Sequence, residues 1–238
     1  MRYDAVFFDL DGTLLPMDMD SFTKRYFGLL AKKAAPYGYD PEKLISSVWK
    51  GTAAMVANDG SRTNEDAFWE VFSGLWPGKD LQSEKEIFDR FYLSEFEEAK
   101  DSCSPDRRMR ELTDMLRSRG VRIVLATNPI FPENATRARV RWAGLEWNDF
   151  EYVTTYENSA YAKPNPKYFT ELLSKLSLRA DRCLMVGNDA EEDMAALKAG
   201  MDVFILTDCL INKKDADLSA VPHGDIKELR KMLDRTFS

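Results

Sequence analysis

The chain has 238 residues, 44% of them hydrophobic and 31% charged, enough apolar content to bury a large core without disulfide or metal staples. Its 40 acidic residues outnumber 33 basic ones, and a net charge of −7 argues against a nucleic-acid backbone or an anionic membrane as the main partner. The single histidine, His223, argues against Ser-His-Asp, Cys-His and multi-histidine metal chemistry. Three scattered cysteines without a CxxC pattern (Cys103, Cys183, Cys209) read as reduced thiols of a cytoplasmic protein.

In chain order, Ala5-Val6-Phe7-Phe8 is an apolar run that predicts a buried strand, ended by Asp9-Leu10-Asp11-Gly12-Thr13. After Pro16 the pattern turns helical, with segments at 21–35, 41–57, 64–76 and 83–98. Pro36, Pro41, Asn58-Asp59-Gly60 and Pro77-Gly78 punctuate them. From Pro105 helices and strands alternate: a helix to Arg119 stopped by Gly120, a strand at 121–126, and a helix through Arg139 to Gly144. A short strand at Tyr152-Val153-Thr154, a helix at 166–176 and a strand at 183–186 follow. The chain closes with a helix around Met194 ending at Gly200, a strand at 203–206 and a helix near 226–233.

Alternation without hairpin signals predicts an α/β fold, a doubly wound parallel sheet covered on both faces. The N-terminal strand joins it most simply if the helical stretch is an insertion. The expected division is therefore a core of 1–15 plus 101–238 and an inserted helical domain of 16–100. No signal peptide precedes the first strand and no apolar run approaches membrane length.

Asp9 and Asp11 follow a buried strand, where open α/β sheets place their ligand sites. Two residues apart in an extended chain, their carboxylates leave the same face and repel. Either a raised pKa on one of them or a cation would relieve that repulsion, and a hard divalent ion such as Mg²⁺, which prefers oxygen ligands, meets the second need. The bland alternative is an Asp-Gly turn after a strand.

Asp9-Leu10-Asp11-Gly12-Thr13-Leu14 resembles the first motif of the haloacid dehalogenase (HAD) superfamily, most of whose members are phosphatases. Val124-Leu125-Ala126-Thr127-Asn128 is similar to the second motif, Lys163-Pro164 to the third, and Gly187-Asn188-Asp189 with Asp193 to the acidic fourth. The resemblance implies that Asp9 attacks phosphorus and forms an aspartyl-phosphate, a step that needs no histidine because a carboxylate is ionised at neutral pH. It implies that Asp11 exchanges the proton with the leaving oxygen and the water, and lends its main-chain carbonyl to the metal. Thr127 and Asn128 would bind phosphoryl oxygens, and Lys163 would supply positive charge. Asp9, Asp11 and either Asn188 or Asp189 would hold Mg²⁺, with Asp193 anchoring the loop or Lys163. Many relatives carry Asp directly after the glycine; this chain has Asn188 there and Asp189 next.

The interval between the first two motifs is far longer than that between the second and third, so the helical stretch 16–100 is expected to be the family's cap. A lid of this kind favours a small phosphorylated metabolite over a phosphoprotein. A phosphosugar mutase, a phosphonate hydrolase using a cap lysine (Lys24 or Lys50), and a non-catalytic phosphate-binding module are the alternatives. Met17, Asp18, Arg25, Thr52 and Asn58 are further possible cap contacts, read first as hinge or solvated residues. The aromatic residues Phe22, Tyr26, Trp49, Phe68 and Trp69 read as cap core. Arg137, Arg139 and Arg141 read as a solvated helix face, and Glu191 and Glu192 as acids of a helix's first turn.

Overall fold

The computed structural model describes residues 3–237; residues 1–2 and 238, placed above in the core, lie outside the described residues. Six parallel strands form one sheet in the order β3-β2-β1-β4-β5-β6. They are β1 (Ala5–Phe8), β2 (Arg122–Leu125), β3 (Tyr152–Val153), β4 (Cys183–Gly187), β5 (Asp202–Leu206) and β6 (His223–Gly224). The doubly wound parallel sheet expected from the alternating pattern is present. β6 was not expected: two residues between Pro222 and Asp225 are too few to show a strand period.

All four residues of β1 are buried, because the strand is central and both faces are covered. Val6 and Phe8 point into one apolar cluster and Ala5 and Phe7 into the other, the period-two alternation of a strand. α5 (Arg107–Ser118), α6 (Glu133–Trp142) and α8 (Ile226–Thr236) feed the first cluster. α7 (Pro166–Lys175) feeds the second, with a 3-10 turn at Met194–Ala199 where a regular helix was expected. Phe8 stands opposite both Leu125 and Val186, so β1, β2 and β4 end level. The next backbone bonds, Asp9 N–H to the Val186 carbonyl (2.9 Å) and Ala126 N–H to the Phe8 carbonyl (2.7 Å), carry that alignment one residue further. Asp9, Thr127 and Asn188 thus leave the carboxyl edge of the sheet together, at the switch point of its strand order.

Between β1 and α5 lie α1 (Met19–Ala34), α2 (Pro41–Val56), α3 (Asn64–Gly74) and α4 (Leu81–Leu93). Asp18, Asp40, Thr63 and Asp80 cap them, each accepting a backbone N–H three residues on, a contribution of about 1 kcal/mol apiece. The helix expected to reach residue 98 breaks at Ser94, and a 3-10 stretch, Glu95–Ser102, follows. The Ser94 hydroxyl donates to the Arg90 carbonyl, the local bond by which serine competes with helical backbone pairing. The chain enters and leaves this block side by side: Met17 bridges Cys103, and Ser104 N–H donates to the Pro16 carbonyl at 2.8 Å. The block shares the first apolar cluster with the sheet, Phe96 meeting Trp142 at 5.0 Å and Tyr26 meeting Phe131 at 5.6 Å between ring centroids. Among the described residues, no helix is long and apolar enough to cross a membrane.

Candidate active site

Lys163 reaches the end of β1 from the loop after β3. Its side chain is fully buried, and Nζ donates to Asp9 Oδ1 at 2.9 Å and to Asp193 Oδ1 at 2.6 Å. Burial works against the ammonium, but Asp193 and Asp9 outweigh it and hold Lys163 protonated well above its ordinary range. The other oxygen of Asp193 accepts the Asp189 backbone N–H at 2.9 Å, so one buried carboxylate ties the fourth loop to the lysine. Burial pushes Asp9 up to about 7; Lys163 opposes the rise, while Asp193 and Asp11 reinforce it.

Asp11 is met by Arg139, whose Nη1 donates to Oδ2, while Asp11 Oδ1 is buried without a hydrogen-bond partner. Burial raises the Asp11 pKa, opposed by Arg139 and Lys163. Arg139 comes from α6 and is 0% exposed; its guanidinium lies 4.4 Å from the Phe131 ring centre and also donates to Thr136 Oγ1. This corrects the reading of Arg137, Arg139 and Arg141 as one solvated face. Arg137 and Arg141 do lie on the outer side, Arg137 over Trp147. Arg139 instead shares a helical stripe with Ala135, Ala138 and Trp142, and that spacing was the available signal.

Thr127 is buried, and its carbonyl accepts from Thr154 Oγ1 (2.6 Å) and Tyr168 Oη (3.0 Å), which fixes the loop that follows β2. Asn128 bridges two loops: Oδ1 accepts the Lys163 backbone N–H at 3.2 Å, and Nδ2 donates to Glu192 Oε1 at 2.9 Å. Glu192 therefore belongs to the site and not to a helix's first turn, because no α-helix forms there. Burial lifts its carboxyl to about 8, against the pull of Lys163. Glu191 is exposed and pairs with Lys214.

Between the ordinary carboxylate range and pH 8, folded Glu192 keeps a proton that the unfolded chain has lost. Stability contributed by that proton falls as pH rises through this window. Glu192→Gln keeps the Asn128 bond and removes the titration, so its melting temperature should decline less than that of the parent between pH 5 and 8.5. Parallel slopes in metal-free thermal scans would contradict this.

The fourth loop divides its two candidate ligands. Asn188 is buried: Oδ1 accepts from Thr13 Oγ1 at 2.9 Å and Nδ2 donates to the Cys209 carbonyl at 2.8 Å. Asp189 is half-buried, and its Oδ1 accepts the backbone N–H groups of Glu191 (2.8 Å) and Glu192 (2.9 Å). Burial raises its pKa as well. Carboxylates thus outnumber cations here, burial pushes up the pKa values of Asp9, Asp11, Asp189 and Glu192, and one buried oxygen lacks a partner. That donor set fits a hard divalent cation. Among the described residues, no three Asp, Glu, His or Cys side chains converge as a ready ligand set, so main-chain, water and substrate oxygens would have to complete the shell.

The other cap candidates scatter. Lys24 and Lys50 are exposed, which leaves the phosphonate-hydrolase alternative without its lysine at the site. Asp18 caps α1, and Arg25 bonds the Glu98 carbonyl and Asp101. Asn58 is buried, not solvated, and donates to Asn64 Oδ1, whose own amide donates to the Pro129 carbonyl.

An acidic, lysine-anchored cluster thus lies at the carboxyl edge of the doubly wound sheet, where open α/β folds place their ligand sites. Residues 3–200 match the haloacid dehalogenase-like hydrolases, and the chain belongs to that family. It is 29% identical over 206 residues to the phosphoglycolate phosphatase of Rhodospirillum rubrum, covering 85% of this chain and 79% of that one. It is 26% identical to the glyceraldehyde 3-phosphate phosphatase of Methanothermobacter thermautotrophicus, over 96% of this chain and 99% of the relative. A solved 2-haloacid dehalogenase from Pseudomonas syringae superposes with a TM-score of 0.63 at 20% identity, covering 98% and 99% of the two chains, a likeness of fold.

Proposed function

We propose that the protein is a phosphatase that hydrolyses a small phosphomonoester with Mg²⁺, through an aspartyl-phosphate on Asp9. The observation that carries this reading is the Asp9 carboxylate at the end of the central strand, held by Lys163 with a second carboxylate two residues on. Both curated relatives named above are phosphatases of small metabolites.

In the first half-reaction an Asp9 oxygen bonds to phosphorus as the bond to the leaving oxygen breaks, and Asp11 gives that oxygen its proton. In the second, Asp11 takes a proton from water, whose oxygen bonds to phosphorus as the Asp9–phosphorus bond breaks. Thr127 and the Asn128 N–H bind the phosphoryl oxygens, and Lys163 offsets their charge. Mg²⁺, held by Asp9, the Asp11 main-chain oxygen and a fourth-loop residue, would further neutralise the transferring group. Arg139 holds the Asp11 carboxylate from the side of α6. The helical block 16–100 acts as the cap that covers the site.

Release of inorganic phosphate from 4-nitrophenyl phosphate and a panel of metabolite phosphates tests the reading. Turnover should require Mg²⁺ and stop with EDTA; a folded, Mg²⁺-supplied protein that releases no phosphate from any of them would refute it. Both side chains already have partners, Asp189 Oδ1 two backbone N–H groups and the Asn188 amide Thr13 and Cys209, but Asp189 offers a carboxylate where Asn188 offers only a neutral amide oxygen. Asp189→Ala should therefore weaken Mg²⁺ binding by about tenfold or more, roughly 1.4 kcal/mol, and Asn188→Ala less. Calorimetric Mg²⁺ titration alongside initial rates decides between them, and a larger shift for Asn188→Ala would move the ligand role to the amide.

A further inference from the structure

A cavity of about 120 Å³ lies between α1, α2, α3, α4 and the loops after β2 and β3. Its walls are mainly aromatic, with Phe22, Tyr26, Phe68, Trp69, Phe131 and Tyr156 prominent, and no charged residue lines it. The polar tips of several lining rings already serve one another. Tyr26 Oη lies 2.9 Å from Tyr92 Oη, and Trp69 Nε1 donates to Tyr156 Oη at 3.3 Å. Water entering this space would find few partners, and an apolar cavity left empty forgoes dispersion contacts on every wall. Trp49, 52% exposed, stands among the lining residues and marks the side open to solvent.

Asp9, Asp11, Thr127 and Lys163 do not themselves line the cavity; it is linked to them through Phe131 and Arg139. Thr127 and Asn128 run directly into Ile130, Phe131 and Pro132, which line it. The Phe131 ring packs under the Arg139 guanidinium, and Arg139 bonds Asp11, the group that protonates the leaving oxygen in the reading above. From this geometry we infer that the substrate's leaving alcohol carries a compact apolar group, an aromatic ring or a branched alkyl, that fills the cavity. The inference rests on the phosphatase reading and narrows its substrate class. The carboxylate of phosphoglycolate, the substrate named for one relative, would be desolvated there without a free cation, since Arg139 is engaged by Asp11. A ring of benzene size suits an apolar space of this order.

Three phosphates of primary alcohols separate the possibilities: benzyl phosphate, 2-hydroxyethyl phosphate and phosphoglycolate. With Mg²⁺ saturating, kcat/KM for benzyl phosphate should exceed the other two by at least about tenfold. Thr52 lines the cavity, and Thr52→Phe, which fills it, should cut the benzyl-to-hydroxyethyl ratio by a similar factor. Val48→Phe serves the same purpose if that variant does not fold. Benzyl alcohol binding, followed by calorimetry, should be lost in the filled variant. Equal or better turnover of the hydroxyethyl ester or phosphoglycolate by the parent protein would overturn the inference and leave the phosphatase reading standing. Turnover of none of the three, nor of 4-nitrophenyl phosphate, would remove both.

Discussion

Asp9→Asn should lower turnover by at least about a thousandfold while raising the melting temperature above the parent's, by more at pH 8 than at pH 5. The amide is nearly isosteric and its oxygen can still accept from Lys163, so the fold keeps its contacts. It cannot attack phosphorus as a carboxylate does. The stability gain follows from the charge balance. Asp9 sits buried with Asp11 and Asp193 nearby, and its pKa is raised to about 7. From the ordinary carboxylate range up to about 7, the folded state holds a proton that the unfolded chain has released, so stability declines as pH climbs through that window. Asparagine removes the decline. Metal-free thermal scans and phosphate-release assays on one preparation check both halves. Parent-like turnover would end the aspartyl-phosphate mechanism, and a lower melting temperature at pH 8 would show that the charge balance was misjudged.

The second large effect is on folding. Lys163→Met should destabilise the protein by about 3–5 kcal/mol at pH 7.5, because it leaves the buried Asp9 and Asp193 facing each other without their shared cation. Urea unfolding measures the loss. Adding Asp193→Asn should recover part of it, since the repulsion falls with one charge gone. Lowering the pH should narrow the gap too, as Asp9 takes up a proton and no longer needs the lysine. A loss below about 1 kcal/mol would mean that water reaches the pair and the site is more open than its burial indicates.

Much of this architecture was legible before any coordinates, and for a definite reason. A parallel sheet buried on both faces writes its strands as unbroken apolar runs, which is how Ala5–Phe8 and the segment ending at Ala126 declare themselves. The polar residues that end those runs lie at one sheet edge, but Thr127 and Asn188 read alone as ordinary strand-end residues, and it is the motif resemblance that joins them to Asp9. Two kinds of residue escaped. Arg139 looks like its exposed neighbours Arg137 and Arg141 unless its place on the apolar stripe of α6 is weighed above its charge. Glu192 sits where a helix start was expected, and its role depends on a bond to Asn128, 64 positions away in sequence. Side-chain partners across loops carry no local period. The aromatic cavity escaped for the same reason: its rings lie on four helices and two loops, and each one reads locally as ordinary core.

Gly187 follows Val186 at the end of β4, directly before Asn188. A methyl group there would fall 2.0 Å from an Asp193 carboxylate oxygen, and one at Gly12 (φ +84°) would fall 2.3 Å from the Asn188 amide nitrogen. The site's dimensions are therefore set partly by atoms that are missing. The bare Gly12 lets the first loop close on Asn188 of the fourth, and the bare Gly187 leaves room for the Asp193 side chain within the fourth loop, so a small change of bulk would crowd either contact. A chemist altering this enzyme's selectivity has freedom among the aromatic walls of the pocket. At these two positions there is none, because any side chain there would meet Asn188 or Asp193.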